Sequence, residues 1–338
     1  MRQGRTPTRV VVTGGAGFIG THTVRALLAG GAAVLVIDDL RHASDAGLDD
    51  AAELAVIDVA AEAALHAIVA FQPDAVLHLA AEGGVLRSWR EPVASAAANV
   101  LGTINVLAGA HAAGCPRVVM ASSGGALYGN TDRLPTPETE AVAPRSPYGA
   151  SKHAAEMYLE TFRRVQGLST LALRYANVYG PGQDGTGEAG LIAITCHRLL
   201  DSSPPQIRGD GGQSRDFVYV EDVGTANLLA LAGSLEGAVN IGTGNPASIA
   251  EVVALLTRLS GSDLAVEHVA LPDGEVRSSA LDTGRASAEL GWTATTALAA
   301  GLTRTWTAFQ DARHIDGPAD ALPLVMSGTA GGAPREAG

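Results

Sequence analysis

Up to about residue 175, short apolar runs alternate with longer stretches of helical periodicity. Six runs predict strands, at 9–13, 33–37, 54–57, 75–79, 117–121 and 169–173. Helical patterns lie between them at 18–29, 61–71, 92–113 and 148–166. Unbroken apolar runs are typical of strands buried on both faces, and strands alternating with helices predict a parallel sheet covered by helices. The sequence therefore predicts an α/β fold of the Rossmann type, with a doubly wound parallel sheet.

This rhythm ends after Tyr175. Residues 178–215 are rich in Gly, Pro and Ser, and helical patterns follow only near 190–200, 246–260 and 285–313. An apolar run at 217–220 predicts a strand that returns to the main sheet. We therefore predict a flexible leader at 1–8 and a large domain at 9–177, to which 215–243 returns. A smaller, partly interleaved α/β lobe would comprise 178–214 and 244–315, and 316–338 would be a disordered tail.

Composition narrows the classes of function. The chain has 338 residues, 46% of them hydrophobic, and a net charge of −12, which argues against a nucleic-acid partner. An anionic ligand would need local positive groups instead. Two cysteines, Cys115 and Cys196, are too few for a disulfide framework and suggest reduced thiols in a cytoplasmic protein. We expect no signal peptide, no membrane span and no metal site.

A glycine-rich turn joins the first strand to the first helix. The segment TGGAGFIG contains G-x-G-x-x-G at Gly15, Gly17 and Gly20, with Gly14 in front. Glycines here allow a tight turn, close approach of the backbone to a pyrophosphate, and close packing of helix on strand. The free N–H groups at the start of the helix favour the phosphates. Because a strand precedes the motif and a helix follows it, the motif predicts a dinucleotide site.

Carboxylates after the next strands bear on which dinucleotide binds. Asp38 and Asp39 end the second strand and can accept hydrogen bonds from the adenosine ribose. They would repel a 2′-phosphate, so NAD is favoured over NADP, although the nearby Arg41 weakens that preference. Asp58, after the third strand, either contacts the adenine amino group or is a solvated loop carboxylate.

Tyr148 and Lys152 are four residues apart on a predicted helix, so they share one face. A phenol is a poor base at neutral pH. A neighbouring ammonium and a positively charged nicotinamide ring would both stabilise its phenolate. After a dinucleotide loop, the pair therefore predicts a tyrosine that acts as a general base.

Six motifs occur in the order found in extended short-chain dehydrogenases/reductases. Over about residues 8–310, the chain resembles their NAD-dependent nucleotide-sugar epimerase/dehydratase group, and UDP-glucose 4-epimerases most of all. The motifs are TGGAGFIG (13–20), HLAA (78–81), SSGGALYG (122–129), PYGASK (147–152), RYANVYG (174–180) and RDFVYVED (215–222).

This resemblance implies the chemical roles. Tyr148 would take the proton of the sugar 4-hydroxyl while the C4 hydride passes to NAD⁺, and Lys152 would hold the nicotinamide ribose. Ser123, with Ser122 as second choice, would relay the proton; many family members instead carry Ser or Thr at the position of Gly124. The coenzyme would contact Gly14, Gly15, Gly17, Phe18, Ile19, Gly20, Asp38, Asp39, Asp58, Val59, Leu79, Ala80, Ala81, Asn99, Tyr148, Lys152 and Tyr175.

Two residues keep a second interpretation. Asn99 either supports the active site through the backbone or is a packing residue, and His78 is expected to pack or to form hydrogen bonds at its strand end.

The loop SSGGALYG, at 122–129, indicates which reaction the chain catalyses. Family dehydratases carry Asp-Glu, and decarboxylating members a Glu, where this chain has Gly125 and Ala126. Neither residue can transfer a proton, so the resemblance favours 4-epimerisation of a hexose. The alternatives are a UDP-glucuronate 4-epimerase, a 4,6-dehydratase or a 4-reductase. An NAD-sensing protein without catalytic activity is the alternative from another class.

The second half would hold the nucleotide diphosphate, with UDP favoured over dTDP. Asn177 and Arg215 match the family's diphosphate ligands, although Arg215 could instead pair with Asp216 or Asp222. Arg208 replaces an aromatic residue that stacks on the base, and a guanidinium can also stack.

Two further arginines are candidate ligands of the nucleotide sugar. Where the family has an Arg-Pro-Gly-acid segment, this chain has Pro-Asp-Gly-Glu at 272–275, so one phosphate-binding arginine is absent. Arg277 is the candidate that would bind the phosphate in its place. Arg87 either faces the hexose, where it would suit a carboxylated sugar, or is a surface residue. Relatives often form homodimers through helices equivalent to 92–113 and 148–166, and we expect the same here.

Overall fold

The computed structural model describes residues 6–43, 45–186, 190–271 and 276–315. Its strands are β1 (Arg9–Thr13), β2 (Ala33–Asp38), β3 (Glu53–Val56), β4 (Ala75–His78), β5 (Arg117–Ser123), β6 (Ser169–Tyr175), β7 (Asn177–Tyr179), β8 (Gln206–Arg208), β9 (Ser214–Tyr219), β10 (Gly237–Ile241), β11 (Pro246–Ser248), β12 (Glu267–Val269) and β13 (Ser278–Ser279). Its α-helices are α1 (Phe18–Ala29), α2 (Glu62–Phe71), α3 (Val85–Arg90), α4 (Pro92–Ala96), α5 (Gly102–Ala112), α6 (Gly124–Leu127), α7 (Pro147–Gln166), α8 (Leu191–Leu200), α9 (Val220–Ala232), α10 (Ile249–Ser260) and α11 (Leu298–Ile315).

The main sheet has seven parallel strands in the order β10-β6-β5-β4-β1-β2-β3. Successive side chains of a strand point to opposite faces, and both faces of β1 are buried. Val10 and Val12 pack in one hydrophobic layer, and Val11 packs in the other. The predicted Rossmann-type doubly wound fold is confirmed, and the six strands expected in the first half all form.

The helix that carries the Tyr-Lys pair, α7, has clear start and stop signals. Ser146 caps it by accepting a hydrogen bond from the Gly149 N–H at 3.0 Å, and Pro147 occupies the first turn, where its missing N–H costs nothing. Gly167, with φ of +71°, ends the helix in the left-handed conformation that glycine tolerates best. These signals fix the helical register that directs Tyr148 and Lys152 toward the sheet.

The prediction that 217–220 returns to the main sheet is wrong. β9 contains most of that run, but it pairs with β7, β11 and β13 in a separate four-stranded sheet. β10 completes the main sheet instead, as the parallel partner of β6. Val220 begins α9, which packs on the core of the main sheet through Val223 and Ala226.

Two predicted helices in the second half are also too long. The segment 246–260 begins with β11, and α10 starts only after Ser248, which forms a capping box with Glu251. The segment 285–313 contains a π-helical turn, Ala286–Leu290, that ends at Gly291; α11 begins at Leu298.

The predicted leader is partly fixed. Thr8 donates hydrogen bonds to Asp74 Oδ2 from its backbone N–H at 2.8 Å and from its hydroxyl at 2.7 Å. These contacts tie the start of β1 to the turn before β4. Residues 1–5 and the predicted tail, 316–338, lie outside the described residues.

The predicted helix 92–113 consists of α4, a π-helical turn at Ala97–Leu101, and α5. Contrary to the expectation from the sequence, Pro92–Ala112 is long and apolar enough to cross a membrane by length and composition alone. It packs against α2 and α7, however, and Gly102 sits directly against Val59. We therefore interpret it as a core helix of this fold.

Both cysteines are buried and free, as predicted. Burial raises the pKa of the Cys115 thiol to about 11 and that of the Cys196 thiol to about 12. The thiols are therefore protonated at neutral pH, and they act as small apolar core residues.

Candidate functional site

The glycine loop closes tightly over the carboxyl end of β1. Gly14 has a φ of +68°, and a Cβ there would lie 2.5 Å from the Ala80 nitrogen. A Cβ on Gly20 would lie 2.3 Å from the Gly14 carbonyl oxygen. The next helix, α1, begins after Gly17 without a side-chain cap, so its first N–H groups can bind a phosphate. The residues present therefore fit a dinucleotide pyrophosphate.

One of the predicted acidic residues contacts this loop, and the other two pair with Arg41. Asp38 Oδ2 accepts a hydrogen bond from the Ala16 N–H at 3.1 Å, which places this carboxylate against the loop. Arg41 pairs with Asp39 at 3.2 Å and with Asp58 at 2.7 Å. Two carboxylates thus pair with Arg41, whose positive charge would otherwise favour a 2′-phosphate. The local charge opposes a 2′-phosphate and favours NAD.

Loop contacts after β4 complete the crevice. The Leu79 N–H donates to the Thr13 carbonyl at 2.9 Å, and the Ala80 N–H lies 3.3 Å from the Thr13 hydroxyl. The segment that includes Ala81 therefore runs beside the glycine loop.

Three predicted coenzyme residues direct their side chains elsewhere. Val59 is buried against Gly102, and the Tyr175 hydroxyl donates to Asn227 Oδ1 at 2.6 Å inside the core. Asn99 donates from Nδ2 to Ser151 Oγ at 2.9 Å and accepts from the Glu82 N–H at 2.8 Å. Asn99 therefore links the loop after β4 to α7 and supports the site indirectly.

Tyr148, Lys152 and Ser123 come together where α7 crosses the end of β5. The Lys152 ammonium donates to the Ala121 carbonyl at 3.0 Å, one strand position before the serine pair. Burial raises the pKa of Tyr148, and a hydrogen bond with Ser123 partly opposes this effect. Burial lowers the pKa of Lys152 to about 8, against the charge of Glu156, which raises it.

Burial dominates over the side chains around Tyr148, so its pKa is raised and the phenol is protonated at neutral pH. The sequence predicts a phenolate favoured by two positive charges together, the Lys152 ammonium and a nicotinamide ring. That expectation stays a prediction.

The structure separates the two candidate serines. Ser122 donates from Oγ to Glu156 Oε1 at 2.6 Å and is buried, whereas Ser123 lines the large cleft beside Tyr148. Ser122 is thus not placed as the proton relay. A Cβ on Gly124 would lie 2.5 Å from the Leu281 side chain, so a Ser or Thr at this position would require Leu281 to move.

His78 bridges β1 and α5. Its Nδ1 lies 2.7 Å from the Thr13 hydroxyl and its Nε2 lies 3.0 Å from the Thr103 hydroxyl. Burial and the nearby Lys152 charge lower its pKa to about 3, so the ring is neutral. The prediction of a packed, hydrogen-bonded histidine is confirmed.

A cleft of about 550 Å³ opens from Tyr148 toward the smaller lobe. Among the described residues, its lining holds three arginines and no Asp or Glu. In a chain with a net charge of −12, this lining is the local positive site that an anionic ligand requires. The predicted residues that it brings together are Ser123, Tyr148, Asn177, Arg208 and Arg215.

Two predicted arginines lie outside this lining. Arg87 pairs with Glu82 at 2.8 Å and with Glu91 at 3.2 Å, so the surface interpretation replaces contact with the hexose. Arg277 pairs with Asp210 at 2.9 Å and holds the pKa of that carboxyl down at about 2. The segment 272–275 lies outside the described residues.

Other partners occupy the carboxylates that could have paired with Arg215. Asp216 accepts hydrogen bonds from Thr243, and Asp222 accepts them from Thr295. These bonds hold the loops around β9 and direct both carboxylates to structural roles.

Sequence reasoning missed several residues. Arg145, Ser146, Gln183 and Gln213 also line the cleft. Ser146 carried a signal, because Ser-Pro before a helical pattern is typical of an N-cap. The other three have no local signature and reach the cleft only through tertiary folding.

Comparison with known proteins agrees with this geometry. The model of the NAD dependent epimerase/dehydratase family matches residues 10–242. A putative UDP-glucose 4-epimerase of Methanocaldococcus jannaschii is 40% identical over 283 residues, which cover 84% of this chain and 92% of that protein.

Two crystal structures are similar in sequence and fold. The UDP-glucose 4-epimerase of Thermotoga maritima, solved with UDP-glucose, has a TM-score of 0.88 and 40% identity, covering 90% of this chain and 99% of its own. The UDP-glucose 4-epimerase of Thermus thermophilus, solved with NAD, has a TM-score of 0.86 and 38% identity with the same coverage of 90% and 99%.

Proposed function

Because the chain belongs to the NAD dependent epimerase/dehydratase family, we propose that it is an NAD-dependent 4-epimerase of a nucleotide-activated hexose of the UDP-glucose/galactose type. The observation that carries the proposal is the position of Tyr148 in an arginine-bearing cleft, with Ser123 beside it and Lys152 one helical turn along. The relatives named as UDP-glucose 4-epimerases support the substrate class.

Each step of the reaction then has an assigned group. NAD⁺, when bound, accepts the C4 hydride and returns it. Tyr148, with Ser123 hydrogen-bonded to it, takes the proton of the C4 hydroxyl, which leaves a C4 ketone. Lys152 provides a nearby positive charge that favours the phenolate. After the ketone presents its other face, Tyr148 returns the proton and the configuration at C4 is inverted.

Elimination of water would need a further acid or base. Gly125 and Ala126 occupy the loop positions where dehydratases of the family carry acids, and both line the cleft. The described lining contains no carboxylate that could take a C5 proton. The cleft therefore supports epimerisation over a 4,6-dehydratase reaction.

The direct test is to incubate the purified protein separately with UDP-glucose, UDP-galactose and UDP-glucuronate and to follow each by proton NMR. We expect UDP-glucose and UDP-galactose to interconvert with no net NADH. A 4-keto-6-deoxy product would identify a dehydratase, and stoichiometric NADH a net oxidoreductase. Bound NAD without turnover of any sugar would identify a binding protein.

Arg215 is proposed to bind the diphosphate, because it is a cation that lines the same cleft as Asn177. We expect Arg215→Met to raise the KM for the UDP-sugar by about 10- to 100-fold, because a charge-assisted bond contributes about 1.5–3 kcal/mol. The value of kcat should change much less, since the reacting C4 lies at the Tyr148 end.

Arg277→Met is the matched control, because Arg277 pairs with Asp210 and is exposed. Its KM should stay within about threefold of the wild-type value. A KM within about threefold of the wild-type value in Arg215→Met would remove Arg215 from the diphosphate site.

We also propose a cytoplasmic homodimer, to which the buried free thiols and an apolar surface lend support. On the outer face of α4 and α7, Val93 is 81% exposed, Met157 60% and Val165 72%. Exposed apolar side chains on two helices that pack together favour association. Light scattering should give twice the monomer mass, and Val93→Lys/Met157→Lys should give the monomer mass; an unchanged mass in the double variant would contradict this interface.

The division of labour between the two lobes follows the same proposal. Residues 9–177, with 215–243, would bind the coenzyme, and 178–214 with 244–315 would bind the nucleotide sugar. Asn177 and Arg215 stand at the edges of the first group and line the cleft, so they are proposed to bind the nucleotide sugar, and β9 lies in the four-stranded sheet. The glycine loop lies in the first group, and Arg208 lies in the second.

A further inference from the structure

A buried carboxylate lies one helical turn beyond the Tyr-Lys pair. Tyr148, Lys152 and Glu156 follow one another at four-residue intervals on α7 and therefore share a face. The Glu156 side chain is only 10% exposed. It lies below the reacting groups and is not part of the cleft lining.

Glu156 joins two neighbouring strands. Its Oε1 accepts hydrogen bonds from Ser122 Oγ at 2.6 Å and from Arg174 Nε at 3.0 Å, and its Oε2 accepts from Arg174 Nη2 at 2.6 Å. Ser122 on β5 and Arg174 on β6 are direct partners in the sheet register. One carboxylate thus binds both strands at the point where they reach the active site.

The same cluster extends past Ser123. Arg174 Nη1 donates to the Tyr128 hydroxyl at 2.8 Å, and that hydroxyl donates to Asn240 Oδ1 at 2.9 Å. Ser122 precedes Ser123, and Tyr128 follows it after the short helix α6. The cluster therefore anchors both ends of the segment that carries Ser123.

Charge links the cluster to Lys152. His78 on β4, Tyr148 and Glu156 on α7, and Arg174 on β6 are the titratable or charged groups around the ammonium. His78 is neutral, since its pKa is lowered to about 3, and the Tyr148 phenol is protonated. Burial lowers the pKa of Lys152 to about 8, and Glu156 is the anion that raises it.

We propose that Glu156 is a positioning residue of the active site: by binding Ser122 and Arg174, it holds Ser123 against Tyr148 and places an anion one helical turn from the Lys152 ammonium. The inference rests on the proposed epimerase function. Its competitor is a purely structural role, in which the ion pair stabilises the fold without affecting the chemistry.

The two roles differ in the pH profile of kcat. Loss of an anion near an ammonium lowers the pKa of that ammonium, so Lys152 in Glu156→Gln loses its proton at a lower pH. We expect the alkaline limb of kcat to move down by about one pH unit, which corresponds to about fivefold lower activity at pH 8. A purely structural role would change stability and leave the limb in place.

A second variant tests the inference if Glu156→Gln does not fold. Glu156→Gln leaves the buried Arg174 unpaired, which can unfold the protein. Glu156→Gln/Arg174→Gln removes both charges, and we expect it to fold and to move the limb in the same direction but by less, because the positive charge of Arg174 is removed as well. Glu160→Gln is the matched control on the same helix, because Glu160 pairs with the surface residues Arg163 and Arg164. It should keep the wild-type profile.

A wild-type alkaline limb in a folded Glu156→Gln protein, or in the double variant where the single variant does not fold, would overturn the inference. So would a limb shifted equally by Glu160→Gln. Failure of the underlying function is recognised separately, because the wild-type protein would then not interconvert UDP-glucose and UDP-galactose.

Discussion

Tyr148→Phe is expected to lower kcat by about 10³-fold while NAD still copurifies with the protein. The substitution removes one oxygen from a buried ring that is hydrogen-bonded to Ser123. The C4 hydroxyl then has no acceptor for its proton, and hydride departure would leave a protonated ketone. The measurement is single-turnover and steady-state epimerisation of UDP-galactose, with bound NAD quantified after acid release.

Tyr158→Phe is the matched control, on the same helix but with a ring that is 40% exposed. It should keep wild-type kcat and the same NAD content. If Tyr148→Phe kept more than a tenth of the wild-type kcat, another group would have to accept the proton, and the assigned chemistry would be wrong. If it lost NAD as well, its effect would be on coenzyme binding.

The first half of the fold could be predicted because its elements have local causes. The run at 9–13 is apolar on both faces and matches β1 residue for residue. In the second half, β7, β8 and β11 have three residues each, too few for a periodic pattern to emerge. Their pairing is long-range, and the strand at 217–220 was therefore assigned to the wrong sheet.

The site residues also divide into those that could be predicted from the sequence and those that could not. Backbone-driven features such as the glycine loop and the Tyr-Lys spacing depend on local sequence, so their positions could be inferred. Arg87 and Arg277 could not be assigned, because their ion pairs with Glu82 and Asp210 exist only after folding. The Tyr175 ring could not be assigned either, since its direction is set by the hydrogen bond to Asn227.

Gly20→Ala tests whether the loop before α1 binds the coenzyme. The added Cβ would lie 2.3 Å from the Gly14 carbonyl oxygen and 2.6 Å from the Gly15 Cα, and both are backbone atoms. The helix start must therefore move away from the loop, at a cost of about 1–3 kcal/mol. Since the same N–H groups are proposed to bind the pyrophosphate, we expect NAD affinity to fall by about 10- to 100-fold.

Gly224→Ala is the matched control, because Gly224 lies within α9 and a Cβ there would meet nothing within 4 Å. Alanine in a helix is favoured over glycine, so this variant should be as stable as the wild type or more stable by up to about 1 kcal/mol. Both variants would be compared by thermal unfolding, by circular dichroism and by NAD titration of the protein after coenzyme removal. Full NAD affinity in a folded Gly20→Ala protein would place the coenzyme away from the β1–α1 turn, and the proton chemistry at Tyr148 would lose its hydride acceptor.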